Sequence, residues 1–146
     1  MTPEIKLTAE RIPLEVINQG KLSLLDELLA TDFVDHTPVP GFEPTRDGVK
    51  QGITALRTAF PDIHYTIETS VACGDEIVQL IKGTGTMTGD YMGMPATGKS
   101  ATWTEIHIGR GVNGRLTEHW NVADRLGLLV QLGIVTVPAA RVPVTV

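Results

Sequence analysis

The chain has 146 residues, of which 42% are hydrophobic and 20% are charged, and its formal net charge is −5. This composition is typical of one globular domain, and a negative chain without a Lys/Arg cluster argues against a nucleic-acid partner. No apolar run approaches the roughly 20 residues of a membrane-spanning helix, and no basic-then-apolar N-terminal segment indicates a signal peptide. We therefore expect a cytoplasmic protein that binds neither nucleic acid nor membranes.

Three helices are predicted in the first part of the chain. The first begins at Thr2-Pro3, a capping hydroxyl followed by a proline, and a kink or break is expected at Pro13. A shorter second helix covers residues 22–29, and a third runs from Asp47 to Phe60, where Pro61 stops it. Between the second and third helices, residues 31–36 are expected to form a brief extended piece.

The rest of the chain alternates polar and apolar residues, which is typical of half-buried strands. Four strands are predicted, at residues 63–71, 76–88, 101–110 and 115–124. Gly83 and Gly85 indicate a bulge or a sharp bend in the second of these. The connection 89–98 is either a lid over a pocket mouth or a plain hairpin loop. A short helix at 125–132 follows the last strand.

Three helices followed by four antiparallel strands predict an α+β fold, with the helices packed on the concave face of a curved antiparallel sheet and a pocket between them. Residues 1–133 form the single domain, and residues 134–146 form an extended C-terminal tail that is a candidate to lie on a partner subunit. The outer sheet face carries residues too apolar to leave in water, namely Thr102, Thr104, Ile106 and Ile108. We therefore expect a homodimer or a higher homo-oligomer.

The pair Asn113-Gly114 predicts a two-residue hairpin turn, because both positions tolerate positive φ. With this turn Val112 lies opposite Arg115, and counting along the strands places His107 opposite Trp120. One face of the hairpin then carries Trp103, Glu105, His107, Trp120, Val122 and Asp124. His119 has the opposite parity, so we expect it outside the pocket, at a subunit contact. A three-residue turn would shift the register by one and break this grouping.

Several motifs resemble those of the SnoaL-like polyketide cyclase family. They are Asp32-Phe33-Val34-Asp35-His36, Ala59-Phe60-Pro61-Asp62, Gly74-Asp75, Gly93-Met94-Pro95-Ala96-Thr97-Gly98-Lys99, Gly114-Arg115-Leu116-Thr117-Glu118-His119-Trp120, Asp124 and Gln131-Leu132-Gly133. The resemblance covers nearly the whole chain. It implies the cone-shaped fold shared with nuclear transport factor 2 and ketosteroid isomerase. It also implies ring closure by intramolecular aldol condensation, without a metal or organic cofactor.

The resemblance implies that Asp124 is the general acid/base, because family members place a proposed catalytic aspartate near the end of the last strand. From the residues alone, Asp124 is equally suited to proton transfer and to capping the helix that begins at Arg125. His107 either assists, by holding an enolate oxygen or relaying a proton, or is a core histidine hydrogen-bonded to a neighbour.

The candidate substrate-binding residues are His36, Trp103, Trp120, Tyr91, Met94 and Glu105. The tryptophans would form flat apolar walls, or they are ordinary core aromatics. His36 would reach the pocket from the helical side, and Tyr91 and Met94 would contact a ligand from the 89–98 connection. Glu105 is either a second acid or a residue that points outward at the end of the sheet.

These observations predict a cofactor-free, cyclase-like enzyme that acts on a hydrophobic, carbonyl-rich small molecule. An epoxide hydrolase or dehydratase on the same fold is an alternative, although the Asp-Arg-Asp arrangement of such hydrolases is hard to assemble here. A non-catalytic module for small-molecule binding or dimerisation is a second alternative. No metal site is predicted, because nothing in the spacing of His36, His107 and Asp124 demands one.

Overall fold

The computed structural model of the protein describes residues 3–138, so most of the predicted C-terminal tail lies outside the described residues. The elements in chain order are α1 (Glu4–Arg11), a π-helical segment (Ile12–Ile17), a 3-10 turn (Leu22–Leu24), α2 (Leu25–Leu28), β1 (Leu29–Asp35), α3 (Arg46–Ala59), β2 (His64–Cys73), β3 (Glu76–Thr86), β4 (Ser100–Val112), β5 (Arg115–Ala123) and α4 (Arg125–Gln131). Within residues 3–138, no helix is long and apolar enough to cross a membrane.

The predicted α+β fold is confirmed, but the sheet has one more strand than expected. The strand order is β1-β5-β4-β3-β2, and β1 pairs with β5 in parallel while the other neighbours are antiparallel. The brief extended piece predicted at residues 31–36 is β1. It covers the edge of β5, which would otherwise present unpaired backbone groups. The sheet is therefore mixed rather than purely antiparallel, and Asp35 of β1 lies beside His119 of β5.

The first helix changes its winding at Pro13 instead of breaking. Residues up to Arg11 are α-helical, and the π-helical segment follows, in which the Asn18 N–H donates to the carbonyl of Pro13. A proline inside a helix lacks an N–H and crowds the preceding turn, so the wider π winding accommodates it. The segment places Val16 and Ile17 in the core.

Gly83 and Gly85 make room for aromatic rings, and the bulge predicted near them lies elsewhere. A Cβ atom on Gly83 would sit 2.6 Å from the Trp103 ring, and one on Gly85 would sit 3.1 Å from Phe60. β3 pairs regularly with β4 through both glycines, whereas the irregularity in this part of the sheet is in β2, between Ile67 and Thr69.

The connection 89–98 is a hairpin loop tied down at both ends. Tyr91 and Met94 exchange backbone hydrogen bonds across a tight turn, in which Met92 has a φ of 51°. The N–H of Gly89 donates to the carbonyl of Ala59 at the end of α3, and the Tyr91 side chain is buried. This anchoring presents Tyr91 to the interior.

The turn at Asn113-Gly114 is confirmed, since both residues have positive φ and Val112 pairs with Arg115. A bulge between Arg110 and Gly111 then adds one residue to β5. A Cβ atom on Gly111 would lie 2.0 Å from the Ile5 side chain of α1, so the helix packs directly on this irregular point. Beyond the bulge, every pair on β5 is displaced by one from the predicted register.

Candidate active site

A cavity of about 160 Å³ lies between the concave face of the sheet, the π-helical segment and α3. Most of its wall is apolar and includes Ile12, Phe33, Val49, Ile53, Leu56 and Leu128. The sheet side carries a group of polar residues, namely Asp35, Tyr65, Glu105, His107, His119 and Asn121. An apolar pocket with a few converging polar groups is typical of a small-molecule site.

The displaced register changes which β5 residues face this cavity. His107 pairs with Asn121 and not with Trp120, which pairs with Ile108 on the outer face. The predicted placement of Trp120 in the pocket is therefore wrong, and so is the placement of His119 outside it. A one-residue bulge reverses the face of every side chain beyond it, because side chains alternate along a strand.

Four side chains form a continuous hydrogen-bond chain along the cavity wall, which we call the Asp35–Glu105 chain. His119 Nδ1 lies 3.1 Å from Asp35 Oδ1, and its Nε2 lies 2.9 Å from His107 Nδ1. His107 Nε2 lies 2.8 Å from Glu105 Oε2. Two carboxylates therefore bracket two imidazoles, and all four imidazole nitrogens are engaged.

Glu105 is a buried carboxylate that accepts hydrogen bonds on both oxygens. The Tyr65 hydroxyl and the Trp103 indole N–H each lie 2.6 Å from Oε1, and the Asn121 amide lies 3.1 Å from Oε2, beside His107. Burial disfavours the charged form, but the hydrogen bond and charge of His107 and the donors on Oε1 outweigh it. Together they lower the pKa of Glu105 from 4.5 to about 2. Glu105 is therefore an ionised anchor for His107.

Asp35 plays a similar part at the other end of the chain. Its Oδ1 accepts the Thr37 backbone N–H at 3.0 Å in addition to the contact with His119. Burial opposes ionisation, but the hydrogen bond and charge of His119, together with the Thr37 contacts, lower the pKa of Asp35 below its usual value. Both ends of the chain are therefore held as carboxylates.

The hydrogen bonds of the Asp35–Glu105 chain determine how many protons the His107 and His119 rings need between them. An ionised carboxylate only accepts hydrogen bonds, so His119 Nδ1 and His107 Nε2 must both carry protons. The contact between the two imidazoles requires one more. Two neutral imidazoles supply two protons, so the complete set of hydrogen bonds requires a third, shared by the histidine pair. The number of hydrogen bonds in the Asp35–Glu105 chain therefore depends on whether the histidine pair carries this third proton.

Asp124 lies at the mouth of the same cavity and also caps the next helix. Its Oδ1 accepts the Gly127 N–H at 2.9 Å, and its side chain is exposed. Arg125 lines the mouth beside it and, within residues 3–138, is the one Arg or Lys that lines the cavity. The predicted helix cap is therefore confirmed, and the predicted role of Asp124 in proton transfer stays a prediction.

The other predicted site residues divide between the two sides of the sheet. Trp103, Glu105 and Tyr91 line the cavity. Met94 packs against the core next to Tyr91 but does not line it. His36 lies on the outer face, where its ring stacks on Trp120 at 4.5 Å, so its predicted approach to the pocket is wrong. In β1 the inward position belongs to its neighbour Asp35.

His36 and His107 thus lie on opposite sides of the sheet, and the three-residue metal set considered from the sequence does not come together. Among the described residues, no group of three or more His, Cys, Asp or Glu is arranged to hold a metal ion.

Five residues of this site were not predicted from the sequence, namely Asp35, Tyr65, His119, Asn121 and Arg125. One signal was available, because glycines inside a strand often mark a bulge and β4 contains Gly109 and Gly111 shortly before the turn. A bulge there would have brought His119 and Asn121 inward. Nothing in the sequence pointed to the tertiary contact between β1 and β5.

Comparisons with known proteins show the family and the fold of this chain. The family model for SnoaL-like polyketide cyclases matches residues 8–132. The aklanonic acid methyl ester cyclase DnrD of Streptomyces peucetius is 41% identical over 136 residues, which cover 91% of this chain and 92% of that protein.

Two solved structures show the same fold. IdmH of Streptomyces antibioticus superimposes with a TM-score of 0.78 at 30% identity, covering 90% of this chain and 99% of that one. TsrD of Streptomyces laurentii superimposes with a TM-score of 0.81 at 26% identity, covering 90% and 96%. By its sequence motifs, its fold and these matches, the chain belongs to the SnoaL-like polyketide cyclase family.

Proposed function

We propose that the protein is a cofactor-independent cyclase that closes a ring in a hydrophobic, carbonyl-rich small molecule by intramolecular aldol condensation. The observation that carries this proposal is the Asp35–Glu105 chain, because it sets a shared-proton histidine pair in the wall of an otherwise apolar cavity. Aldol ring closure needs one group that takes a proton from carbon and returns a proton to oxygen.

We assign the proton transfer to His107. In the form that lacks the third proton, His107 leaves its contact with His119, and its freed Nδ1 accepts a proton from the carbon next to a substrate carbonyl, which leaves an enolate. The enolate carbon forms a bond to a second carbonyl carbon, whose C=O electron pair moves to its oxygen. That alkoxide takes the proton back and becomes a hydroxyl, so the reaction is an isomerisation with no other reactant.

Neighbouring groups support this step. Each carboxylate faces one imidazole, so positive charge on either ring is balanced at a distance of about 3 Å. The Asn121 amide lies 3.3 Å from His107 Nε2 and is placed to donate to the enolate oxygen. The proton taken from the substrate carbon is the third proton of the histidine pair, and it completes the hydrogen bonds of the Asp35–Glu105 chain. This gain favours formation of the enolate.

The test is turnover of aklanonic acid methyl ester, the compound named for the relative DnrD, by wild type and His107→Gln. General acid/base catalysis contributes about 10²- to 10⁴-fold, so kcat should fall by that factor in the variant. His64→Gln is the matched control, because His64 is exposed and does not line the cavity. A His107→Gln enzyme within about threefold of wild type would contradict the assignment.

A second candidate for proton transfer is Asp124, as the family resemblance implies. Its favourable observation is its place at the mouth of the same cavity. However, it lies three residues beyond Asn121 along the chain, or about 10 Å at the usual rise of a strand. Asp124 and His107 therefore do not act together on one reacting carbon, and the two assignments exclude each other. If Asp124→Asn lowers kcat by about 10²-fold or more while His107→Gln does not, Asp124 is the acid/base.

The alternative classes receive less support. An Asp-Arg-Asp hydrolase site would need an arginine between carboxylates, and Arg125 forms no ion pair within the described residues. A purely structural module would have its cavity filled by the tryptophans, whereas Trp103 leaves the cavity open and Trp120 lies outside it.

We also propose that the protein is a homodimer formed through the outer face of the sheet. Val71, Val78, Ile108 and Trp120 are paired in turn across four neighbouring strands, and Val122 is 74% exposed in the next row. A continuous apolar strip of this kind is unusual on a surface in contact with water. Location in the cytoplasm stays a prediction.

A further inference from the structure

A second, smaller chamber of about 50 Å³ lies behind the histidine pair. It shares several wall residues with the main cavity, namely Ile12, Ile17, Tyr65, His107, Leu116 and His119. The rest of its wall is apolar apart from one side chain, Gln79. The chamber therefore adjoins the candidate active site, and the two imidazoles and two residues of the π-helical segment belong to the walls of both.

Gln79 is a buried amide without a partner. Its side chain is 5% exposed, and its Nε2 atom makes no hydrogen bond within residues 3–138. It pairs with His107 across β3 and β4 and with Ser70 across β2 and β3, so all three side chains share the inner face. The Ser70 hydroxyl is also buried and, in the same part of the chain, also unpartnered.

An unsatisfied buried amide is costly, so its presence indicates a partner that arrives from outside the chain. The histidines cannot serve, because both nitrogens of each ring are already engaged in the Asp35–Glu105 chain. The missing group is therefore an acceptor from outside the chain, and the main cavity adjoins the chamber along the wall residues that the two share. The π-helical segment that supplies Ile12 and Ile17 to both walls is a rare winding that is common at functional sites.

We propose that this chamber binds a short ketone- or acyl-bearing arm of the substrate, whose carbonyl oxygen accepts a hydrogen bond from Gln79. The apolar wall would hold the alkyl part of the arm, and the amide would select for a carbonyl over a hydrocarbon of the same shape. This inference rests on the proposed function for the identity of the ligand as a carbonyl-rich substrate, but the chamber itself can be tested without turnover.

The probes are 2-butanone and 2-methyl-1-butene, which have the same shape and differ in that C=CH₂ replaces C=O. Each is titrated into the ¹⁵N-labelled full-length protein, and the Gln79 side-chain amide signals are followed by NMR. We expect 2-butanone to shift those signals and to bind about fivefold more tightly than the hydrocarbon, the equivalent of one neutral hydrogen bond.

Gln79→Leu should abolish the preference for the ketone while leaving the hydrocarbon affinity within about twofold, since the chamber keeps its apolar wall. Gln51→Leu, at an exposed position of α3 outside both cavities, is the matched control and should keep the wild-type preference. Circular dichroism verifies that each variant is folded.

Three outcomes would overturn the proposal. The first is that wild type binds both probes with equal affinity. The second is that the NMR signals of the Gln79 side-chain amide do not shift when the ketone is added. The third is that the Gln79 amide protons contact bound water and shift with neither probe. The last outcome would assign the chamber to ordered water only. Because none of these measurements uses turnover, failure here is distinct from failure of His107→Gln to impair ring closure.

Discussion

Replacing Glu105 with glutamine tests whether the Asp35–Glu105 chain is anchored by an ionised buried carboxylate. Glutamine keeps the size of the side chain and one acceptor oxygen for Tyr65 and Trp103. It removes the charge that faces His107 and presents an amide N–H₂ to a second amide, that of Asn121. The variant should fold, with lower stability at neutral pH.

The magnitude follows from the depressed pKa of Glu105, about 2 against an ordinary value of 4.5. A carboxyl group with a lower pKa in the folded state stabilises the fold above the unfolded pKa, and the contribution is lost as the pH falls through the folded pKa. The shift corresponds to about 3 kcal/mol at pH 7, of which about 2 kcal/mol should be lost by pH 3.

The assay is urea unfolding of wild type and Glu105→Gln, followed by tryptophan fluorescence at several pH values between 7 and 3. The difference in unfolding free energy between wild type and Glu105→Gln should become steadily smaller below pH 4.5. The contributions of the other carboxylates cancel in this difference, because both proteins contain them. Glu68→Gln is the control, since this exposed residue forms only a 3.7 Å pair with Lys82 and should change stability by less than about 1 kcal/mol. A difference that is the same at pH 7 and pH 3 would refute the reasoning.

Three further predictions concern the helix cap, the core and the outer face. Asp124→Ala should lower the unfolding free energy by about 1 kcal/mol through loss of the α4 cap. Asp124→Asn should not, because asparagine caps a helix equally well. Chemical denaturation of the two variants measures this difference. Gly83→Ala should lower the free energy of unfolding by about 1–3 kcal/mol, because its Cβ would lie 2.6 Å from a tryptophan ring. Gly52→Ala in α3 is the control and should leave the stability unchanged or raise it. Equal melting temperatures of the two variants would contradict this account. Val122→Lys should convert a dimer to a monomer in light scattering. Gln51→Lys, at an exposed position of α3 away from the outer sheet face, should not. A wild-type monomer would rule out the dimer.

The element order could be read from local patterns, because each depends on residues close together in the chain. The apolar spacing of α3, the alternation in β2 and the positive-φ pair Asn113-Gly114 all predicted what the structure contains. Family motifs distributed along the chain indicated the fold and the class of protein. Trp103, Glu105 and His107 were also placed correctly on one face, because they lie on a regular strand where alternation holds.

Tertiary structure decided which residues complete the site. One extra residue in β5, beside the point where Ile5 of α1 packs on Gly111, turned His119 and Asn121 inward and Trp120 outward. The parallel pairing of β1 with β5 then brought Asp35 to His119 across 84 positions of sequence. The strand pairing leaves no local pattern, because it depends on a distant partner. Gly109 and Gly111 indicate a bulge but do not fix its position, since the helix packed on it stabilises it. The Asp35–Glu105 chain therefore exists only in the folded protein.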